Sequence, residues 1–391
     1  MQTVRFRTRM DAVQAPIVPV IGGIIREVSG TISLGQGVVH YGPPQAAIDA
    51  VRGALTDVST DEYQDGAGLP ALLSRLATKL SAENGIDAGR GVRIMVTAGA
   101  NMAFVHAVLA ITAPGDEIIL NVPFYFNHEM AIQMADCTAV RVATDDRYQP
   151  RIDALRAAIT DRTRAIVTVT PNNPSGAVFS EESLRAVNAL CRDRGIYHIA
   201  DEVYEYFTYG SARHVSSGSF PGAEGHTIAM YSLSKAYGFA GWRIGYMAYP
   251  EHLAPAMAKI QDTILVCPPV VSQIAAIAAL EVGRPYCEPH VRELADIRHI
   301  VVSQLSALAP KVSVPAADGA FYCLLKVNTT RDPMAIAERL IREHQVAVIP
   351  GTAFGMTDGC YLRVAYGALQ RATVEEGIGR LVTGLRAILK S

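Results

Sequence analysis

From about residue 90 onward, short apolar runs alternate with segments of helical periodicity, and this alternation restricts the fold more than any other feature. The predicted strands are Arg93–Ala98, Glu117–Val122, Thr138–Ala143, Arg164–Thr170, Ile196–Ala200, Thr227–Ser232 and Trp242–Tyr249. The predicted helices are Ala100–Thr112, His128–Ala135, Ile152–Ile159 and Glu181–Arg194. Strands that alternate with helices build a doubly wound, mostly parallel sheet with helices on both faces, so we predict an α/β fold.

After Leu280 the alternation becomes less regular, which indicates a second, smaller α+β domain. The elements predicted there are helices at Glu288–Leu308, Pro333–His344 and Thr373–Leu389 and strands at Lys311–Val314, Phe321–Val327, Val346–Ile349 and Tyr361–Ala365. Glycine and two prolines cluster at Val282–Pro289, where we place the boundary. We therefore expect an N-terminal arm that joins the smaller domain (1–40), a large domain (41–284) and a C-terminal part of the smaller domain (285–391).

The composition excludes several classes of protein. Half of the 391 residues are hydrophobic and 18% are charged, so the chain can bury a large core and is not disordered. The net charge is −2 without blocks of like charge, which disfavours nucleic acid and anionic membranes as partners. The six cysteines lie at least 20 residues apart and form neither a zinc motif nor a disulfide framework. We expect a cytoplasmic protein without a metal site.

Reactive side chains follow the ends of several predicted strands. They are Asn101 with Gly99 and Ala100, Asn173, Asp201, and Ser232 with Lys235. Ligands of open α/β sheets bind outside the carboxyl ends of the strands, so we expect these residues to share one site. A desolvated lysine can attack an aldehyde, an acid can protonate a ring nitrogen, and Arg243 offers a fork of donors that suits a phosphate. Pyridoxal phosphate requires these three functions.

These motifs resemble the class I/II aminotransferases of the aspartate aminotransferase fold, a pyridoxal-phosphate family whose members are usually homodimers. The resemblance runs from Leu34 to Gly367 with the motifs in the family's order. In Ser-Leu-Ser-Lys235 through Trp-Arg243-Ile-Gly, it implies that Lys235 bonds the cofactor aldehyde and that Ser232 and Arg243 bind its phosphate. The turn Thr97-Ala-Gly99-Ala100-Asn101 resembles the phosphate-binding turn at a helix N-terminus.

Two further motifs imply contacts with the cofactor ring. Pro-Asn-Asn173-Pro-Ser-Gly resembles the family's N-P-x-G, which implies that Asn173 bonds the phenolic oxygen and also contacts the substrate. Asp201-Glu-Val-Tyr204 resembles D-E-x-Y, which implies that Asp201 pairs with the pyridinium nitrogen and that Tyr204 bonds the phenolic oxygen. By the same resemblance, Tyr125 stacks on the ring and His128 holds Asp201. Lys235, Asp201 and Tyr204 are the predicted catalytic residues.

More distant positions complete the resemblance. Arg363, in Tyr-Leu-Arg363-Val, resembles the arginine that binds the substrate α-carboxylate, and Gly37 resembles the glycine whose backbone closes over it. Tyr63 resembles the tyrosine that reaches the phosphate in the neighbouring subunit. The resemblance therefore implies an aminotransferase that moves an amino group from an L-amino acid to a 2-oxo acid.

The substrate and the reaction leave alternatives open. Asn101 stands where one bacterial subgroup has a lysine for the distal carboxylate of aspartate, so we expect a neutral or aromatic amino acid. Four aromatic residues either line a side-chain pocket or pack in the core: Tyr41, Phe124, Phe126 and Tyr237. A lyase or cyclase that uses the same cofactor could share every residue named, and remains the alternative function.

Overall fold

In the computed structural model, which describes residues 8–390, the sheet predicted from the alternation is present with seven strands. The strands of the chain are β1 (Ile32–Ser33), β2 (Val92–Thr97), β3 (Glu117–Val122), β4 (Thr138–Ala143), β5 (Thr163–Val169), β6 (Tyr197–Asp201), β7 (Thr227–Ser232), β8 (Gly245–Pro250), β9 (Val312–Ser313), β10 (Tyr322–Val327), β11 (Val346–Ala347), β12 (Ile349–Pro350) and β13 (Cys360–Ala365). The large sheet has the order β2-β8-β7-β6-β5-β3-β4, and only β8 runs antiparallel to its neighbours. The predicted α/β fold is confirmed.

Helices cover both faces of this sheet. The helices of the chain are α1 (Ile17–Glu27), α2 (Gln45–Ala54), α3 (Pro70–Asn84), α4 (Ala100–Ile111), α5 (Phe126–Met134), α6 (Ile152–Ala158), α7 (Glu181–Arg194), α8 (Leu233–Ala236), α9 (Ala254–Ile264), α10 (Val270–Val282), α11 (Arg284–Ser306), α12 (Pro333–His344) and α13 (Arg371–Ile388). Successive residues of a strand point to opposite faces, so Ile118 and Leu120 pack with Phe104 of α4, whereas Ile119 packs with Val187 of α7. Burial on both faces explains why these strands are continuously apolar.

The C-terminal region forms a second sheet, with the order β12-β13-β10-β9 and antiparallel pairing. The N-terminal segment joins this region, because β1 pairs in parallel with β11. α11 and α12 pack against α13. The domain limits predicted from the sequence stay a prediction. Residues 1–7 of the predicted N-terminal arm and residue 391 of the predicted C-terminal part lie outside the described residues.

Most predicted elements agree with the structure to within about two residues at each end, and three differ by more. Trp242 ends a short 3₁₀ helix and Arg243 has φ 55°, so the strand predicted from Trp242 begins only at Gly245. The predicted strand Val346–Ile349 is two strands in different sheets, because the chain changes partner at Val348. The long helix begins at Arg284 instead of Glu288, since Pro285 is tolerated in a first helical turn.

Two stretches of the sequence, residues 94–115 and 263–280, contain no Asp, Glu, Lys or Arg. Residues 94–115 form the end of β2 and then α4, and residues 263–280 form the end of α9, a turn and most of α10. Within residues 8–390, no helix combines the length and the apolar character that a membrane span requires.

Candidate functional site

A cavity of about 220 Å³ lies at the carboxyl ends of β5, β6 and β7, between the large sheet and the C-terminal sheet. Most of the residues predicted from the sequence line it together: Gly37, Ala100, Asn101, Tyr125, Asn173, Asp201, Tyr204, Ser232, Lys235, Arg243 and Arg363. Six further residues line it: Ser234, which follows the same strand end as Ser232 and Lys235, and five that the sequence reasoning did not assign to the site, namely Val18, Phe126, Val169, Val203 and Tyr322. For Phe126 the sequence leaves open whether the ring lines a side-chain pocket or packs in the core.

Lys235 projects into the cavity from α8, the single helical turn that follows β7. Its Nζ donates a hydrogen bond of 2.5 Å to the backbone carbonyl of Gly37. Removal from bulk water, together with the nearby Arg243 and Arg363, lowers the pKa of this amine to about 8, while Asp201 opposes the shift. A lysine with such a pKa is partly neutral near physiological pH and can act as a nucleophile or a base.

One end of the cavity is suited to an anion. α4 begins there after Gly99, which has φ +86°, and no side chain caps this helix N-terminus. The guanidinium of Arg243 is fixed beside it by hydrogen bonds of 3.0 Å to the carbonyls of Ala98 and Ala240. A Cβ at position 99 would collide with this guanidinium. Gly99 itself does not line the cavity, but its missing side chain admits Arg243, and the N–H groups of the first helical turn face the same space.

On the other side of the cavity, Asp201 is held by a histidine. His128 Nε2 lies 3.0 Å from Asp201 Oδ2, and the backbone N–H of Val203 donates to Asp201 Oδ1 over 3.3 Å. The imidazole stacks on the ring of Phe104 with centroids 4.0 Å apart. The carboxylate is therefore held at the end of β6, where it lines the cavity.

Arg363 is a buried cation without a carboxylate partner among the described residues. It lies on β13 with 2% of its surface exposed, and burial lowers its pKa. Its Nη1 donates to Asn173 Oδ1 over 3.0 Å, its Nη2 donates to the carbonyl of Gly35 over 2.6 Å, and its Nε has no partner. A buried guanidinium that lacks a counter-ion and retains a free donor is suited to bind an anion from solution.

Tyr204 contacts Tyr322, a residue that sequence reasoning missed. Their hydroxyl oxygens lie 2.8 Å apart, and Asn173 Nδ2 donates to Tyr204 Oη over 3.4 Å. Burial raises the pKa of Tyr322 to about 12 and that of Tyr204 well above 10, so both phenols are neutral at physiological pH. The two residues are 118 positions apart, and no local motif around Tyr322 signalled this contact.

The remaining aromatic predictions have separate outcomes. Tyr63 is 83% exposed and does not line the cavity, so its role toward a neighbouring subunit stays a prediction. Phe126 lines the cavity, whereas Phe124 and Tyr237 are buried in the core. Tyr41 donates its hydroxyl to the backbone carbonyl of Lys235 over 3.1 Å, so it supports the lysine turn from outside the cavity.

Comparison with known proteins gives one consistent result. The family model described as aminotransferase class I and II matches residues 29–381. An aromatic aminotransferase of Arabidopsis thaliana is 36% identical over 96% of this chain and 94% of its own length. A probable aspartate/prephenate aminotransferase of Aquifex aeolicus is 33% identical over 91% of both chains.

Solved structures agree with these relatives. A mutant aspartate aminotransferase of Thermus thermophilus superimposes with a TM-score of 0.90 at 30% identity, over 98% of this chain and 100% of the other. An aromatic aminotransferase from Pyrococcus horikoshii superimposes with a TM-score of 0.87 at 31% identity, over 95% of this chain and 100% of the other.

Proposed function

Because the chain belongs to the class I and II aminotransferases, we propose that its cavity binds pyridoxal 5′-phosphate and transfers the amino group of a neutral or aromatic L-amino acid to a 2-oxo acid. One observation carries this proposal. An amine with a pKa of about 8 and a buried arginine without a carboxylate partner face the same cavity. The lyase or cyclase alternative is not favoured, since the relatives described above are named aminotransferases.

The donor set of the cavity fits this cofactor. Lys235 Nζ would bond its aldehyde carbon, and Asp201 would pair with its ring nitrogen. Arg243 and Ser232, together with the N–H groups at Ala100 and Asn101, would bind its phosphate. Tyr125 offers its ring for stacking. When bound, the cofactor supplies a conjugated electron sink for the bond electrons of the substrate Cα.

The residues of the chain then act on the substrate. Arg363 binds the α-carboxylate through its free Nε, while Asn173 holds the guanidinium in place. Gly37, whose carbonyl accepts a hydrogen bond from Lys235 Nζ, lines the same cavity as Arg363, so its backbone would lie near the bound carboxylate. Once the substrate amine has displaced it from the aldehyde carbon, neutral Lys235 Nζ would take the proton from Cα and deliver it as a general acid to that aldehyde carbon, a role that its lowered pKa supports.

The charges that line the cavity favour an amino-acid substrate with a neutral or aromatic side chain. The basic lysine and arginine side chains in its lining are Lys235, Arg243 and Arg363, and each has a role above. Asn101 is neutral, so the described lining has no further basic side chain for a distal carboxylate. Val18 and Phe126 add apolar surface to the lining. The names of the relatives include both aromatic and aspartate/prephenate aminotransferases.

We further propose a homodimer in the cytoplasm. Tyr63 is 83% exposed on a segment that also exposes Leu55 and Val58 by 65% and 70%. Large apolar side chains exposed in one segment suit contact with a second copy, whose phosphate site Tyr63 would reach. The six free cysteines are consistent with a reducing compartment.

A panel of amino donors tests the reaction and its substrate. The holoenzyme is mixed with one donor at a time, without a 2-oxo acid, and conversion to pyridoxamine phosphate is followed by absorbance. We expect conversion with phenylalanine, tyrosine and leucine at a kcat/KM about tenfold or more above that of aspartate, because aspartate would bury an unpaired carboxylate. Fastest conversion of aspartate would contradict the substrate class. Release of ammonia without pyridoxamine phosphate would contradict transamination.

A further inference from the structure

The hydroxyl groups of Tyr204 and Tyr322 form one hydrogen bond, in which either group could be the donor. Both side chains are buried, with 4% and 0% of their surface exposed, and their rings meet edge to face with centroids 5.5 Å apart. A phenol has one proton to donate and lone pairs that accept. Either hydroxyl could donate across the 2.8 Å contact, so the surroundings decide the direction.

Arg363 decides the orientation of the Asn173 amide. A guanidinium only donates hydrogen bonds, so the atom of Asn173 that lies 3.0 Å from Arg363 Nη1 must be the amide oxygen. The amide nitrogen therefore faces Tyr204 Oη and donates to it. The oxygen of Tyr204 is consequently an acceptor on one side before Tyr322 is considered.

Tyr322 is held in place from three directions. Tyr322 on β10 lies opposite Ala365 on β13 in the sheet. The centre of its ring lies 4.9 Å from the guanidinium carbon of Arg363, and its hydroxyl packs against Gly37. A Cβ at position 37 would come within 2.7 Å of Tyr322 Oη. The phenol therefore stays directed at Tyr204, which is its hydrogen-bond partner among the described residues.

We propose, on the basis of the function proposed above, that Tyr322 is a positioning residue that donates its hydroxyl proton to Tyr204 Oη and so turns the single Tyr204 proton into the cavity. With donors from Asn173 and Tyr322 on its oxygen, Tyr204 keeps only its own O–H to offer a ligand. Hydrogen bonds arranged in series polarise one another, so this O–H becomes a stronger donor to the phenolic oxygen of the cofactor. The opposite orientation would present a lone pair of Tyr204 to that oxygen.

The test is the pH dependence of the visible absorption of the bound cofactor in a Tyr322→Phe holoenzyme. A donor to the phenolic oxygen stabilises the form in which that oxygen carries negative charge. Tyr322→Phe should weaken the Tyr204 donor and so raise the pH at the midpoint of the absorbance change. We expect a rise of about 0.5 to 1 pH unit. Tyr148→Phe is the matched control, because Tyr148 is buried outside the cavity and its hydroxyl has no partner among the described residues. Its midpoint should equal that of the unmodified holoenzyme.

Two comparisons separate this role from a merely structural one. In a Tyr204→Phe background, Tyr322→Phe should produce no additional shift, because the group through which it acts is gone. Tyr322→Phe keeps the ring beside Arg363, so KM for the amino donor should stay near its normal value, whereas Tyr322→Leu should raise it.

Several results would overturn the proposal. An unchanged or lowered midpoint in Tyr322→Phe would contradict it, as would an equal shift in the Tyr204→Phe background. If Tyr322→Phe does not fold, Tyr322→3-fluorotyrosine replaces it. This more acidic phenol donates more strongly and must lower the midpoint, and a raised or unchanged midpoint contradicts the proposal. Failure of the unmodified protein to bind pyridoxal phosphate would instead refute the proposed function itself.

Discussion

Two clusters of buried polar side chains in this protein are built on the same strands but differ in how they are satisfied. The first, which we call the closed network, consists of Thr168, Asn188, His198, His226 and Thr227. His198 bonds Thr168 Oγ1 over 2.8 Å and Asn188 Nδ2 over 3.1 Å, and Asn188 Nδ2 also donates to Thr227 Oγ1 over 2.8 Å. Its side chains have hydrogen-bond partners within the fold, as buried polar groups usually do.

The cavity is the opposite case. Arg363 Nε and His128 Nδ1 have no partner, and Lys235 bonds only a backbone carbonyl among the described residues. In the closed network, burial lowers the pKa of His198 to about 3, so that side chain stays neutral, whereas the cavity retains the buried charge of Arg363. A polar cluster that satisfies itself stabilises the fold. A cluster that leaves donors and charges unpaired costs stability and stays available for a ligand.

The largest effect is expected for Lys235→Ala in the cavity. Turnover should fall about 10²- to 10⁴-fold, the usual contribution of a general acid–base group, while the free energy of unfolding does not decrease. Steady-state kinetics and denaturant unfolding measure the two quantities. Lys259→Ala, at an exposed position, is the matched control and should change neither. Near-normal turnover of Lys235→Ala would remove this residue from the mechanism.

Arg363→Leu should have the next largest effect, on substrate binding. Loss of a charge-assisted hydrogen bond to the α-carboxylate should raise KM for the amino donor about 10- to 100-fold. Because the native guanidinium is buried without a carboxylate partner, its removal should not destabilise the ligand-free protein. Arg339→Leu, which removes a partly exposed arginine outside the cavity, controls for the loss of charge. A large loss of stability with unchanged KM would make Arg363 part of the structural framework instead.

Asn188→Ala reverses this pattern in the closed network. It leaves His198 and Thr227 buried with unpaired atoms, which should lower the free energy of unfolding by about 1–3 kcal/mol. Turnover per folded molecule should stay unchanged, because the network does not line the cavity. Asn328→Ala, at an exposed position, is the control. Normal stability together with impaired turnover would contradict the assignment of the closed network to stability and of the cavity to catalysis.

The smallest effect is a pH dependence of cofactor association with the apoenzyme. Attack on the aldehyde requires neutral Lys235, whose fraction increases as pH rises through the pKa of about 8. The association rate should therefore rise about tenfold from pH 7 to pH 9 and then level off. An amine with the ordinary pKa would instead give a rise of about 100-fold over this range without levelling. Stopped-flow absorbance distinguishes the two curves.

The sequence predicts most of the large sheet because its signals are local. Apolar runs bounded by turns define the strands β3 and β4 to the residue, and Ser180 and Gly195 mark the ends of α7. The errors arise where tertiary pairing decides. Val348 lies in one apolar run whose halves pair with different sheets, and no local pattern shows that exchange of partners.

The site is predictable to the extent that its residues occur in motifs at strand ends. Asp201 and Lys235 are examples, and the structure brings both to the cavity. Tyr322 lies in an ordinary buried strand, and its relation to Tyr204 arises only when two distant segments pack together. For the same reason the sequence could not separate Phe126, which lines the cavity, from Phe124, which packs in the core.

Reduction of the holoenzyme with borohydride, followed by peptide mass spectrometry, tests most directly whether the cavity amine bonds the cofactor. Pyridoxal phosphate bonded to a lysine becomes fixed by reduction and adds its mass to one peptide. The account predicts that this mass is found on the peptide that contains Lys235, and that Lys235→Ala abolishes it. An unlabelled protein, or a label confined to another lysine such as Lys259, would contradict it.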